Sequence, residues 1–129
     1  MDNYFQIKNF TDIETFIKKT NDLHDGYIIA VEYQNKGIKI CGDTYEFNPK
    51  LKQLKIRVLI TSIQDSILEM VFENVLEWKI TEVDDDILEA GITFDDKGFV
   101  IWTNDAYEME NFEGNDSYVI AEKMKWRFV

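Results

Sequence analysis

One change of pattern, at Gly26, most constrains what this chain can fold into. Before it, Thr11-Asp12-Ile13-Glu14 reads as a capping box, and apolar residues follow at helical spacing up to Thr20. After it, β-branched and aromatic residues recur in short runs separated by turn residues. The sequence therefore predicts an α+β fold, in which a short amino-terminal helix packs on a strongly bent, mainly antiparallel sheet of about six or seven strands.

The longest strand pattern extends from residue 67 to residue 80. Most of its apolar side chains occupy even positions, whereas Val71 and Val75 are predicted to point outward and break the alternation. The even positions are Leu68, Met70, Phe72, Leu76, Trp78 and Ile80. These fourteen residues exceed the usual length of a strand. We therefore expect a bend or bulge near Glu73-Asn74, which would let one long strand serve two parts of the sheet.

Two turns that contain glycine predict hairpins. In segment 34–38, Gly37 is expected to take the left-handed position, which would place Val31 opposite Cys41. Segment 95–98 ends in a glycine and is also expected to form a hairpin turn between the apolar runs on either side of it.

Length and composition predict a single soluble domain over residues 1–129. A chain of 129 residues can bury one sufficient core, and 45% hydrophobic residues are too many for a disordered chain. The polar and aromatic first residues do not resemble a secretory leader, and no apolar run reaches membrane-spanning length. The lone cysteine, Cys41, has no internal partner for a disulfide. We therefore expect a cytoplasmic protein that does not contact membranes.

The charge of the chain restricts its partners. A net charge of −11, from 25 acidic and 14 basic side chains, repels a phosphate backbone and argues against nucleic acid. The acidic stretches that could contact a basic protein are Asp84, Asp85 and Asp86, and Asp105, Glu108, Glu110 and Glu113. A solvated turn is the favoured interpretation of the runs Asp84-Asp85-Asp86 and Asp95-Asp96, and neither run has the spaced ligands and central glycine of an EF-hand.

Basic side chains form stripes on two predicted strands. They are Lys55 and Arg57 on one strand, and Lys123, Lys125 and Arg127 on the other. Neighbouring stripes would form one basic patch. Pairing with Glu69, Glu73 and Glu77 on a facing strand is the favoured interpretation, because opposite charges on adjacent strands stabilise a sheet.

His24-Asp25 holds the chain's single histidine and is the obvious candidate for catalysis. It resembles the pair of the HD metal-dependent phosphohydrolases, but those sites need further histidines, so a histidine-rich metal centre is excluded. The predicted first hairpin places Cys41 too far from His24 for a nucleophilic pair. Serine-hydrolase and phosphate-binding motifs are absent from the sequence. We expect no metal and no cofactor.

We interpret His24 and Asp25 as a structural corner between helix and sheet. Asp25 is expected to fix the turn by bonding to nearby backbone amides, and His24 to pack between helix and sheet as a neutral imidazole. The alternative is a partner-binding or acid/base histidine at the rim of a cleft.

Three segments together resemble a known group of proteins. They are Leu23-His24-Asp25, the strand pattern from Tyr27 to Tyr33, and Phe72-Glu73-Asn74-Val75. The chain resembles small uncharacterised bacterial single-domain proteins, some of which are grouped with the immunity proteins of polymorphic toxin systems. The resemblance implies an acidic α+β protein that occludes a toxin without catalysis. It assigns no inhibitory residue.

Three classes of function follow from the sequence. The leading one is a non-catalytic protein-binding module, most concretely an immunity-type inhibitor of a basic toxin. The second is a small-molecule-binding domain whose pocket is lined by Trp78, Trp102 and Trp126. The third, an enzyme that uses His24 or a carboxylate pair, has the least support, so we expect a protein that is not an enzyme.

Overall fold

A computed structural model describes residues 3–47, 51–81, 85–110, 113–114 and 116–129. Its elements are β1 (Phe5–Ile7), α1 (Phe10–Thr20), β2 (Gly26–Asn35), β3 (Ile38–Cys41), β4 (Thr44–Glu46), β5 (Lys52–Ile60), β6 (Ser66–Lys79), β7 (Gly91–Phe94), β8 (Val100–Thr103) and β9 (Tyr118–Phe128). The predicted α+β class is confirmed, because one helix packs on an antiparallel sheet of seven strands.

Helix α1 begins at Phe10, one residue before the predicted capping box. The cap is Asn9, whose side-chain oxygen accepts a hydrogen bond of 2.9 Å from the Asp12 amide. Asn9 has extended backbone, and asparagine caps a helix at least as well as threonine, so Thr11 becomes part of the helix. The helix buries one face against the sheet through Ile13, Phe16 and Thr20.

The main sheet has the strand order β2-β5-β6-β9-β8-β7. Strand β1 also pairs with β9, beside the part of β9 that pairs with β8, so β9 contacts three strands. Strands β3 and β4 form a separate two-stranded sheet, which we call the β3–β4 hairpin. Among the described residues, no helix is long and apolar enough to cross a bilayer.

The predicted first hairpin is wrong in its pairing. Gly37 does have a left-handed backbone with a φ of 65°, but Val31 pairs with Ile56 of β5 rather than with Cys41. Burial explains the difference, because pairing with β5 places β2 beside a strand whose alternate residues are fully buried. The second hairpin is confirmed, with Phe94 opposite Val100.

The predicted bend in the long strand is confirmed. Asn74 has a φ of 57°, and the register with β9 shifts between Val75 and Glu77. Residues before the bend pair with both β5 and β9, whereas residues after it pair with β9 alone. The apolar alternation predicted beyond the bend is wrong. After the bend the odd position Val75 is buried, and the even positions Leu76 and Trp78 are exposed.

Aromatic side chains fill the core between helix and sheet. The ring of Phe16 meets Trp126 edge-on at 5.3 Å, and Phe72 lies 6.3 Å from Trp102. Trp102 and Trp126 are wholly buried, whereas Trp78 is exposed at the surface. The three tryptophans therefore do not share the wall of a pocket, contrary to the arrangement expected for a small-molecule site.

Candidate functional site

The two acidic stretches converge on one open groove of about 520 Å³, which we call the acidic groove. Its lining residues are Asp85, Asp86, Leu88, Glu89, Asn104, Asp105, Tyr107 and Asp116. Five of these eight are carboxylates, so the groove concentrates negative charge on one side of the molecule.

Backbone contacts tie the two walls of the acidic groove together. Glu89 and Asp105 form an isolated parallel bridge, and the amide of Ala106 donates to the Glu89 carbonyl at 2.9 Å. The Asp105 carboxylate accepts a bond of 3.0 Å from the Tyr107 amide and so caps the short turn at Ala106–Met109. The spacing of the carboxylates therefore depends on paired backbone.

Two apolar side chains stand among these carboxylates. Leu88 is 69% exposed and Tyr107 is 88% exposed. Large apolar groups with so much accessible surface can lose water on contact with another molecule, which is how protein interfaces gain much of their affinity. The groove thus combines charge with surface that can be desolvated.

The predicted partner-binding residues divide into three groups. Asp85, Asp86 and Asp105 line the acidic groove, whereas Asp84 lies outside the described residues. The remaining predicted residues, Glu108, Glu110 and Glu113, are not among its lining residues; the Glu108 carboxylate accepts from the Glu113 amide at 3.2 Å.

Sequence reasoning did not select Glu89 as a site residue. Asp116, in contrast, belongs to the acidic segment 105–116 that the sequence offers to a basic partner. Glu89 stands alone between Leu88 and Ala90, and only the bridge to Asp105 reveals its place.

The His24 side chain lies at the edge of the acidic groove. Its Nδ1 atom lies 2.7 Å from the Leu88 carbonyl oxygen, and its Nε2 atom lies 3.6 Å from the Asp25 carboxylate. The side chain is 49% exposed, so the predicted packing between helix and sheet is wrong. Leu23 takes that buried place.

Left-handed backbone explains why Leu23, rather than His24, is buried. Asn21, Asp22 and Leu23 have φ values of 53°, 56° and 57°, and this reversal turns Leu23 inward and His24 outward. Such a conformation costs about 1–2 kcal/mol at a leucine. Burial of the Leu23 side chain offsets it.

Asp25 holds the corner through its backbone rather than through its carboxylate. Its amide donates to the Ile87 carbonyl at 2.9 Å, and its carbonyl accepts from both the amide and the hydroxyl of Thr61. The next residue continues the contact, since the Gly26 carbonyl accepts from the Ile87 amide at 2.7 Å. The corner thus joins the start of β2 to the turn after β5 and to the wall of the acidic groove.

We expect His24→Ala to lower the melting temperature more at about pH 5.5 than at about pH 9. The hydrogen bond to the Leu88 carbonyl, followed by the charges of Asp25, Asp86 and Asp22, raises the pKa of His24 above its ordinary 6.5. A pKa raised by folding contributes stability that is fully present below 6.5 and is lost as the pH rises through the raised value. Thermal unfolding of both proteins across this range tests it, and an equal difference at both pH values would contradict it.

A second polar cluster, around Glu69, lies on the face of the sheet that points away from α1. This carboxylate is fully buried, and it accepts from Arg57 at 3.1 Å, from Arg127 at 2.8 Å and from the Tyr4 hydroxyl at 2.5 Å. The Lys55 ammonium lies 3.8 Å away. We call these five residues the Glu69 cluster.

The predicted pairing of the basic stripes with glutamates of β6 is confirmed for Glu69 and Glu73. Lys125 lies 3.2 Å from the Glu73 carboxylate. Glu77 instead accepts from the Tyr118 hydroxyl at 2.6 Å, and this bond raises the pKa of Tyr118 to about 12. Four of the five basic side chains, those of Lys55, Arg57, Lys125 and Arg127, therefore lie within 4 Å of a carboxylate on their own sheet.

Within the described ranges, no group of three or more histidine, cysteine, aspartate and glutamate side chains could hold a metal ion. The carboxylates of the acidic groove line an open surface. No family model, curated protein or solved structure matches this chain.

Proposed function

We propose that this protein is a non-catalytic protein-binding module whose acidic groove receives a basic surface of a partner protein. The observation that carries the proposal is the convergence of Asp85 and Asp86 with Asp105 in one groove, beside the exposed side chains of Leu88 and Tyr107. Charge and exposed apolar surface occur together in protein interfaces, where the charges align the partners and the apolar groups lose water.

Electrostatic steering supports a basic partner in particular. The chain carries a net charge of −11, and the walls of a groove focus the field of the charges along them. Such a field accelerates the approach of a cationic protein at low ionic strength and repels acidic ones. The apolar side chains at the groove would then slow dissociation of the correctly placed partner.

The most concrete member of this class is an immunity-type inhibitor of a basic toxin, which is the function implied by the resemblance described above. An inhibitor of this kind acts by covering its partner. It needs a complementary surface and neither a nucleophile nor a metal.

The other classes have weaker support. Trp102 and Trp126 fill the core, and Trp78 contacts Tyr33 with 5.3 Å between ring centroids, so an aromatic ligand pocket is not formed from the three tryptophans. Acid/base catalysis by His24 would favour an enclosed imidazole, but this ring is half exposed beside an open groove.

We expect the double variant Asp86→Asn/Asp105→Asn to bind a cationic probe more than about tenfold more weakly than the native protein at low salt. The probe is a fluorescently labelled peptide rich in lysine, arginine and tyrosine, and its polarisation reports binding. The effect should shrink as the ionic strength rises, because salt screens exposed charges.

The matched control is Asp43→Asn/Glu46→Gln on the β3–β4 hairpin. It makes the same change in net charge, and both residues are exposed away from the groove. We expect it to weaken binding less than about twofold. Equal weakening by the two double variants would refute the groove as the binding site, because net charge alone would then account for binding.

A further inference from the structure

Strand β2 leaves one edge of the main sheet open. It pairs with β5 on one side, and within the described part of the chain its other side is taken only at Gly26, by the bridge to Ile87. The strand therefore presents a free edge from Tyr27 to Asn35. An edge of this length is a template on which another strand can pair.

This edge has little of the protection that natural sheets usually carry. Residues 27–35 include no lysine and no proline, and Glu32 is their single charged residue. The bulge between Ile28 and Ala30 is the only protective irregularity in the pairing of β2 with β5. Four of the exposed side chains along the strand are large and apolar: Tyr27, Ile29, Val31 and Tyr33, at 38%, 49%, 39% and 39%.

The β3–β4 hairpin, which follows β2 in the chain, also exposes large apolar side chains: Ile38, Ile40, Tyr45 and Phe47, all more than 45% exposed. Segment 27–47 thus carries eight of the sixteen large hydrophobic residues that are exposed in the described chain. Its three acidic and two basic side chains give it a net charge of −1, out of −11 for the whole chain. A cationic partner gains little here, whereas another nearly neutral apolar surface is not repelled.

We propose that a second copy of this chain covers the edge. The two β2 strands pair antiparallel across a two-fold axis at Val31 and join the two sheets into one. The free edge extends from Tyr27 to Asn35, and its midpoint is Val31, so only a pairing centred there uses the whole edge of both copies. A two-fold arrangement also closes on itself and leaves no β2 edge for further addition.

The ends of the free edge fit this arrangement. Asn35 of each copy lies opposite Tyr27 of the other, next to the position where Ile87 takes over the edge at Gly26. Beyond Asn35 the chain turns away through Gly37, whose φ of 65° directs it into β3. Each strand therefore leaves the interface before it reaches the occupied part of its neighbour's edge.

The side chains are also compatible in this register. Val31 faces its own symmetry mate, and Ile29 faces Tyr33. Glu32 faces Ala30, so no two carboxylates are directly opposite. A pairing centred on Glu32 would place two carboxylates face to face, which destabilises a strand pair.

Sedimentation equilibrium tests the proposal on the full chain. The native protein should sediment at twice its chain mass of 15.3 kDa, and Val31→Lys should weaken self-association more than about tenfold, giving a species of 15.3 kDa. Ile29→Lys is a second variant at a more exposed position and gives the same result if the first does not fold. The matched control Leu88→Lys adds the same charge at the acidic groove and should leave the dimer intact.

Disulfide trapping tests the register. Cys41 is exposed and is first replaced in Cys41→Ser. Val31→Cys in that background should form a disulfide-linked dimer on mild oxidation, because directly opposed residues of antiparallel strands lie about 4.5–5.5 Å apart, within disulfide range. Leu88→Cys in the same background should not.

A native protein that sediments as a monomer overturns the proposal, whatever binds to the acidic groove. So does a dimer that survives both lysine substitutions on β2, or cross-linking of Leu88→Cys as fast as that of Val31→Cys. These readouts measure self-association of the chain and not the binding of a basic partner, so their outcome is independent of the proposed function.

Discussion

Replacing Glu69 with glutamine should lower the free energy of unfolding by about 3 kcal/mol, although the two side chains have nearly the same size. Glu69 is fully buried, and its carboxylate compensates the charges of Arg57 and Arg127 at 3.1 Å and 2.8 Å. The neutral amide would leave both guanidinium groups without a counter-charge. Both are partly exposed, so water recovers some of the loss and the cost falls at the low end of that for a broken buried pair.

Glu73→Gln is the matched control, because it makes the same substitution on the same strand and the same face. Its side chain is 37% exposed and pairs with Lys125 at 3.2 Å. An exposed pair of this kind contributes less than about 1 kcal/mol. Denaturation of both variants by urea gives the comparison, and similar losses would show that burial of the Glu69 carboxylate has no special weight.

The Glu69 carboxylate should also make the free energy of unfolding depend on pH in the acid range. Burial opposes its ionisation, but the hydrogen bonds from Tyr4, Arg127 and Arg57 together outweigh burial and lower the pKa of Glu69 from 4.5 to about 2. A carboxyl pKa lowered by folding contributes stability that is present above 4.5 and is lost as the pH falls through about 2. The difference in stability between the native protein and Glu69→Gln should therefore narrow over that interval.

Gly26→Ala should cost about 2–3 kcal/mol of unfolding free energy. A Cβ atom at this position would lie 2.6 Å from the Leu23 carbonyl oxygen and 2.9 Å from a methyl group of Val58. The oxygen belongs to the backbone of the left-handed turn that precedes β2, so rotation of a side chain cannot relieve the contact. Relief requires the corner to open, which would strain the bond between Gly26 and Ile87.

Gly42→Ala, in the turn of the β3–β4 hairpin, is the matched control. It measures the cost of replacing a glycine where no other atom is close. Gly42 has a φ of 53°, and an added Cβ atom would meet nothing within 4 Å. Only the left-handed backbone opposes alanine there, at a cost of about 1 kcal/mol. Thermal or urea unfolding of the two variants distinguishes the effects, and equal losses would contradict a special role of the corner.

The parts of the fold that follow from local pattern could be predicted from the sequence. Alternation along β5 identified its buried face, and fourteen residues of strand pattern required the bend that occurs at Asn74. The opposite charges on neighbouring strands anticipated the pairs made by Glu69 and Glu73. The first two features depend on the pattern within one strand, and the charge pairs follow from side chains of like sign repeated along one face of each strand.

The parts that failed depend on contacts between distant segments. The turn at Gly37 was correctly identified, yet which strand β2 joins was decided by burial against β5. The outward direction of His24 follows from left-handed backbone at Leu23, a conformation that nothing in a leucine signals. The place of Glu89 in the acidic groove arises from its bridge to Asp105.

The position of β9 at the centre of the sheet leads us to expect that its pairing is a late step in folding. The strand formed by residues 118–128 pairs with β1, β6 and β8, and it brings Phe5 opposite Trp126. Contacts that span so much of the chain close large loops and slow the search for the native state. Because β1 and β8 both pair with β9, we expect the two parts of the sheet to gain stability together when residues 118–128 pair.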